Sequence, residues 1–181
     1  MIENEIKLFI NENVKPYTRW KGTCMEGYHN LSNKKKGDLG EKIVSDLMVR
    51  NNILVLPSNK GYNGTDDRYI GGYDTEIKFS LSQKNDDEFM INHVKKDIKW
   101  ERFIFYGWNL IKPHKVYWCT KQDMELCWKG TNWWGNQSSD AEKMLTGKNL
   151  IKWLNSPFVR EMSEWDSECK VYNGLEDFYG N

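Results

Sequence analysis

The chain has 181 residues, nine tryptophans, nine tyrosines and equal numbers of acidic and basic side chains, 26 of each. That length suits one compact domain with its own core, and zero net charge excludes a uniformly basic nucleic-acid coat while leaving room for a local basic groove. The four cysteines, Cys24, Cys119, Cys127 and Cys169, form no C-x-x-C pair, which argues against a zinc knuckle; with an N-terminus unlike a signal peptide and no apolar run of membrane-spanning length, the expectation is a reduced, soluble, cytoplasmic protein without a membrane partner.

Ile2, Ile6, Phe9 and Ile10 stand at helical spacing and predict a short amphipathic helix over residues 2–12. A loop over 14–33 and the run Lys34-Lys35-Lys36-Gly37 lead to a second predicted helix from about Asp38 to Val49, with Leu39, Ile43, Val44, Leu47 and Met48 on one face. Ile53-Leu54-Val55-Leu56, ended by Pro57, reads as a buried strand, and 58–65 as a Gly/Asn-rich loop. Asp67 to Ile70 and Tyr73 to Leu81 read as strands joined by a Gly71-Gly72 hairpin turn. Phe89 to Trp100 is expected as a helix, and Phe103-Ile104-Phe105-Tyr106 and Val116-Tyr117-Trp118-Cys119 as strands. Asp140 to Leu145 and Asn149 to Leu154 are expected as helices, and the tail from Arg160 carries no clear signal. The order predicts an α/β fold, a mixed central β-sheet flanked by helices, in a single domain.

The stretch from Tyr73 to Ser80 carries the most chemistry. Side chains alternate along a strand, so Asp74, Glu76, Lys78 and Ser80 share one face, opposite the more apolar Tyr73, Thr75, Ile77 and Phe79. Glu76 and Lys78 then stand roughly 7 Å apart along the strand. Acid-x-Lys also occurs at Glu5/Lys7, Asp97/Lys99 and Glu168/Lys170, but Glu76/Lys78 alone combines strand alternation with an acid ten residues upstream, Asp66, and a Glu on the preceding helix, Glu41. Such a set suits phosphodiester hydrolysis, which needs charge neutralisation at the phosphate, an activated water and a stabilised leaving oxygen. Mg²⁺, for which Mn²⁺ would substitute, takes oxygen ligands and one or two carboxylates. Asp66 (or the adjacent Asp67) and Glu76 would supply these, joined by the Ile77 carbonyl. Lys78 would position the water, and Glu41 would hold a second metal or a water.

The Asp66, Glu76, Ile77, Lys78 arrangement resembles the PD-(D/E)xK nuclease superfamily, most closely small type II restriction endonucleases, over roughly residues 36–82. No Pro precedes Asp66, a departure from the pattern's first letter. The resemblance implies a restriction-endonuclease-like core over about 36–120, with 121–181 as a DNA-recognition or dimerisation elaboration. It further implies a Mg²⁺-dependent endodeoxyribonuclease acting on double-stranded DNA as a homodimer. Lys36-Gly37-Asp38-Leu39-Gly40-Glu41 is also similar to the Lys-Gly-x-x-x-Glu entry of archaeal Holliday-junction resolvases, which share this fold. A non-catalytic nucleic-acid-binding subunit on the same scaffold is the contrasting expectation.

Secondary candidates follow from residue type. Lys34, Lys35 and Lys36 are suited to phosphates, His93 to the DNA backbone, and Ser80 and Gln83 to contacts at a polar strand edge. Asn136 and Gln137, in the stretch 128–140 that combines Gly, Asn, Gln and Trp, are suited to base edges.

Overall fold

The computed structural model describes residues 20–57, 68–82, 88–109, 114–138 and 141–167. The predicted helix over 2–12 and the loop over 58–65 lie outside these. The chain divides into two compact units, Met1–Lys36 and Gly37–Asn181. In the first, Trp20 and Met25 are buried, and a 3₁₀ turn, Tyr28–Asn30, follows Gly27, whose φ of +82° suits glycine.

Helix α1, Asn33–Arg50, starts five residues before the expected Asp38. The Ser32 hydroxyl accepts from the Lys35 N–H at 3.3 Å, so the helix is capped ahead of the lysine run rather than at Asp38. Its end follows from Asn52, which adopts φ +59°. The Asn52 and Ile53 N–H groups then donate to the Val49 and Met48 carbonyls, both at 3.0 Å. This pattern satisfies two carbonyls that the helix itself leaves open. Ile53 thereby belongs to the helix end, and the first strand, β1, is only Val55–Pro57.

Six strands form the main sheet, in the order β1-β2-β3-β5-β6-β9. They are β1, β2 (Arg68–Ile70), β3 (Tyr73–Leu81), β5 (Arg102–Trp108), β6 (Lys115–Thr120) and β9 (Arg160–Glu161). β3 and β5 run parallel, and the other neighbours antiparallel, so the sheet is mixed. β1 is an edge strand, the kind of position in a sheet where a proline such as Pro57 is tolerated. Gly71 and Gly72 have φ of +56° and +93°, as a two-residue hairpin requires.

β5 shows how the sheet separates two cores. Ile104 and Tyr106 join Val44 and Met48 of α1, Ile70, Ile77, Trp118 and Trp165. Phe103 and Phe105 point the other way, into a cluster with Phe89, Ile91, Val94, Met124, Leu145 and Trp153. Fully burying one such side chain contributes about 1.5–3 kcal/mol. Helix α1 approaches β3 closely at Gly40, where a Cβ would overlap the Phe79 side chain.

The second core is closed by a small three-stranded sheet, β4-β8-β7, and two helices. Here the sequence expectation is corrected twice. Met90–Lys95 is strand β4, not part of a helix over Phe89 to Trp100, and Glu142–Thr146 is strand β8, not part of a helix from Asp140. The two pair antiparallel, with a bulge between Ile91 and Val94. That bulge brings two residues three apart onto the same buried face, which mimics helical spacing. β7 is Gly135–Asn136. Helix α2, Lys121–Gly130, was not foreseen; Thr120 caps it in a reciprocal box with Asp123. Helix α3, Gly147–Leu154, buries Leu150, Trp153 and Leu154. The tail is anchored as well: Trp165 packs edge-on to Trp118, with ring centroids 5.1 Å apart. Among the described residues, no helix is long and apolar enough to cross a membrane.

Candidate active site

β3 occupies the middle of the sheet, flanked by β2 and β5. Glu76 stands beside Phe103 and Lys78 beside Phe105 across the parallel ladder. Residues in register share a face, so Glu76, Lys78 and Ser80 project toward the Phe103/Phe105 core. The expectation of one apolar and one polar face is therefore refined: the polar face is covered too. The Glu76 side chain is 8% exposed and that of Lys78 24%, and they form an ion pair through Lys78 Nζ and Glu76 Oε1. The second Glu76 oxygen takes no hydrogen bond from the described residues.

A second ammonium acts on this carboxylate. Lys121, the first residue of α2, donates to the carbonyls of Lys96 at 2.7 Å and Ile98 at 3.2 Å and lies over the Trp100 ring. Burial lowers its pKa, opposed by the negative charges of Glu125, Glu76 and Asp97. Neither spacing nor motif singles out Lys121, because its approach to Glu76 depends on how α2 docks.

Glu41 takes a different position. Its carboxylate lies 3.4 Å from Arg68 Nε. Arg68 pairs in register with Thr75, which lies on the face of β3 opposite Glu76. Glu41 therefore stands with the α1-side face, and Glu76 and Lys78 rise from the other. Asp66, Asp67 and Gln83 lie outside the described residues. Arg68, the residue that follows Asp66-Asp67, opens β2.

The remaining candidates separate further. Ser80 is buried, not at a polar strand edge; its hydroxyl accepts from the Met90 N–H at 3.2 Å and ties β3 to β4. Lys34 and Lys35 are exposed in the first turn of α1, and the Lys36 ammonium lies 5.6 Å from the Tyr28 ring centroid. His93 and Gln137 meet on the small sheet, with the His93 N–H donating to Gln137 Oε1 at 2.8 Å. Asn136 is next to them and accepts from Lys143 Nζ through Oδ1. Asp97 and Lys99 are exposed in the irregular segment after β4, and Glu5/Lys7 and Glu168/Lys170 lie outside the described residues.

Among the described residues, no group of three or more His, Cys, Asp and Glu side chains is placed to hold a metal ion. Glu76 supplies a single carboxylate with one oxygen open, which fits Mg²⁺ as a partial ligand set, since that ion keeps several waters. The architecture defines a mixed α/β protein with a mixed central sheet. Neither protein-family models, nor curated proteins, nor solved structures match the chain.

Proposed function

We propose that the chain is a metal-dependent endodeoxyribonuclease of restriction-endonuclease-like type, working inside the cell on double-stranded DNA as a homodimer. The observation that carries this reading is the Glu76–Lys78 ion pair, held on a covered face of the central strand. A buried ion pair seldom stabilises a fold more than apolar side chains of similar volume would. An ion pair set beside Phe103 and Phe105 is better explained by chemistry than by stability.

In this reading Glu76 and one of Asp66 and Asp67 would hold Mg²⁺. The ion would supply charge neutralisation at the phosphate and a more acidic water. Lys78 Nζ donates to the attacking water and favours its hydroxide form by charge. The water oxygen would join phosphorus as its proton passes to bulk solvent, one P–O ester bond would break, and the departing oxygen would take a proton from solvent. A homodimer supplies one site per strand.

The test is incubation of the full chain with plasmid DNA and Mg²⁺, with Lys78→Ala in parallel. The wild-type chain is expected to cut, with cleavage falling about 10²–10⁴-fold in the variant, as for loss of a group acting on the proton of a reacting water. Undiminished cleavage by Lys78→Ala overturns the site; no cleavage of linear, modified or branched DNA overturns the activity and leaves a non-catalytic binding subunit. Discrete fragments mark a restriction enzyme, and selective cutting of four-way junctions a resolvase.

A further inference from the structure

Lys121 is held on the face of the main sheet that carries Glu76. The ladder between β5 and β6 runs one step past its last strand pair, where the Lys121 N–H donates to the Glu101 carbonyl at 3.0 Å. Two residues further in, Cys119, Phe103 and Glu76 form one row in register across β6, β5 and β3. The Lys121 side chain stays on that face. Its Nζ lies 4.1 Å from the Trp100 ring centroid, and Trp100 packs on Phe103 with centroids 5.8 Å apart. Bonds to the Lys96 and Ile98 carbonyls, at 2.7 Å and 3.2 Å, spend two N–H groups of the ammonium. Lys121 is thus a charge fixed to the backbone, not one that swings out to a substrate.

Three carboxylates act on this charge: Glu125, Glu76 and Asp97. Glu125 and Asp97 are exposed, so water and salt screen them. The Glu76 side chain is nearly covered, so the field between it and Lys121 is weakly screened. Glu76 therefore meets two ammoniums of different freedom. Among the described residues, the ion pair with Glu76 is the one polar contact of Lys78, which can turn aside to a water. Lys121 is tied to two carbonyls and stays.

We infer that Lys121 is a positioning residue that lowers the affinity of Glu76 for a divalent cation. This rests on the metal-dependent reading above and adds what sets the strength of metal binding at that site. A dication beside Glu76 is drawn by the carboxylate and opposed by the Lys121 charge, which cannot move away. Lys121 touches neither ion nor substrate; it acts through the field at Glu76. It thereby sets the ion concentration at which the site fills.

The test is titration of the full chain with Mn²⁺, read by electron paramagnetic resonance from the signal of free Mn²⁺. Wild type should bind saturably, and Glu76→Gln should lose that binding, which locates the ion. Lys121→Gln keeps an N–H donor for the Lys96 and Ile98 carbonyls and removes the charge; Lys121→Met removes both. Each should bind Mn²⁺ about fivefold tighter or more, the effect of one unit charge on a divalent ion at an effective dielectric constant between those of protein and water. Lys121→Arg keeps the charge and should stay within about twofold of wild type. A merely structural role for Lys121 has the opposite sign, looser binding in both neutral variants. Circular dichroism shows which neutral variants are folded. Unchanged or looser binding by a folded neutral variant overturns the inference and leaves the nuclease reading standing. Absence of any Mn²⁺ binding that depends on Glu76 overturns the metal-dependent reading and the inference with it.

Discussion

The Glu76–Lys78 pair and the His93–Gln137–Glu142 network lie on either side of a hydrogen bond from Met90 to Ser80. Both are polar, both are built on strands, and both join a carboxylate to a nitrogen base. They differ in what surrounds them. Glu76 has Phe103 beside it and little solvent, so its charge acts in a poorly screened environment. His93 is exposed, so its bonds contribute little to stability and much to the direction in which Gln137 points. The contrast separates a poorly screened ion pair inside the fold from a solvent-exposed hydrogen-bond network at its rim.

Several variants break or sharpen this contrast. The largest effect is expected from Lys78→Ala, which should cut cleavage about 10²–10⁴-fold; Lys99→Ala, in the rival triplet, should leave the rate unchanged, and gel assays of plasmid cleavage read both. Next, Phe103→Ala should cost about 3–5 kcal/mol in urea unfolding, because it opens a cavity under the Glu76 face. Gln137→Ala should stay within about 0.5 kcal/mol, as surface changes do. Gly40→Ala should follow at about 1–3 kcal/mol, since its Cβ would overlap Phe79 and push α1 off the sheet.

The smallest effect concerns acid. Burial raises the Asp123 carboxyl, but hydrogen bonds from Arg160 and Thr120 and the Arg160 charge outweigh it and hold the pKa below 3.8. A carboxyl depressed in the folded state contributes stability that is fully present above its unfolded value and is lost as pH falls through the folded one. Asp123→Asn should therefore flatten the decline of stability below about pH 4 while changing the cleavage rate little, as unfolding series across pH would show. The pair is partly exposed, so the effect should be under about 1 kcal/mol.

Much of the core architecture is legible in local pattern. Tyr73–Leu81 is a strand with the expected bounds, and the Gly71-Gly72 hairpin precedes it. The missed elements have specific causes. At β4 the bulge makes Ile91 and Val94 face the same core, and Ile98 continues a spacing that reads as helix. At β8, Glu142 to Leu145 are good helix formers, but pairing with β4 and β7 overrides their propensity. The acidic, aromatic tail gave no period to read, because Trp165 is held by Trp118, distant in sequence.

Glu76 and Lys78 share a face because a strand repeats every two residues, a local property that needs no knowledge of what lies above it. Which face is buried, and by what, depends on long-range layering. The second sheet and α2 pack on the Phe103/Phe105 face that Glu76 shares, whereas α1 places Glu41 with Arg68 on the side away from it. The meeting of His93 with Gln137 is of the same kind: 44 residues separate them, and only the β4-β8-β7 ladder brings them together.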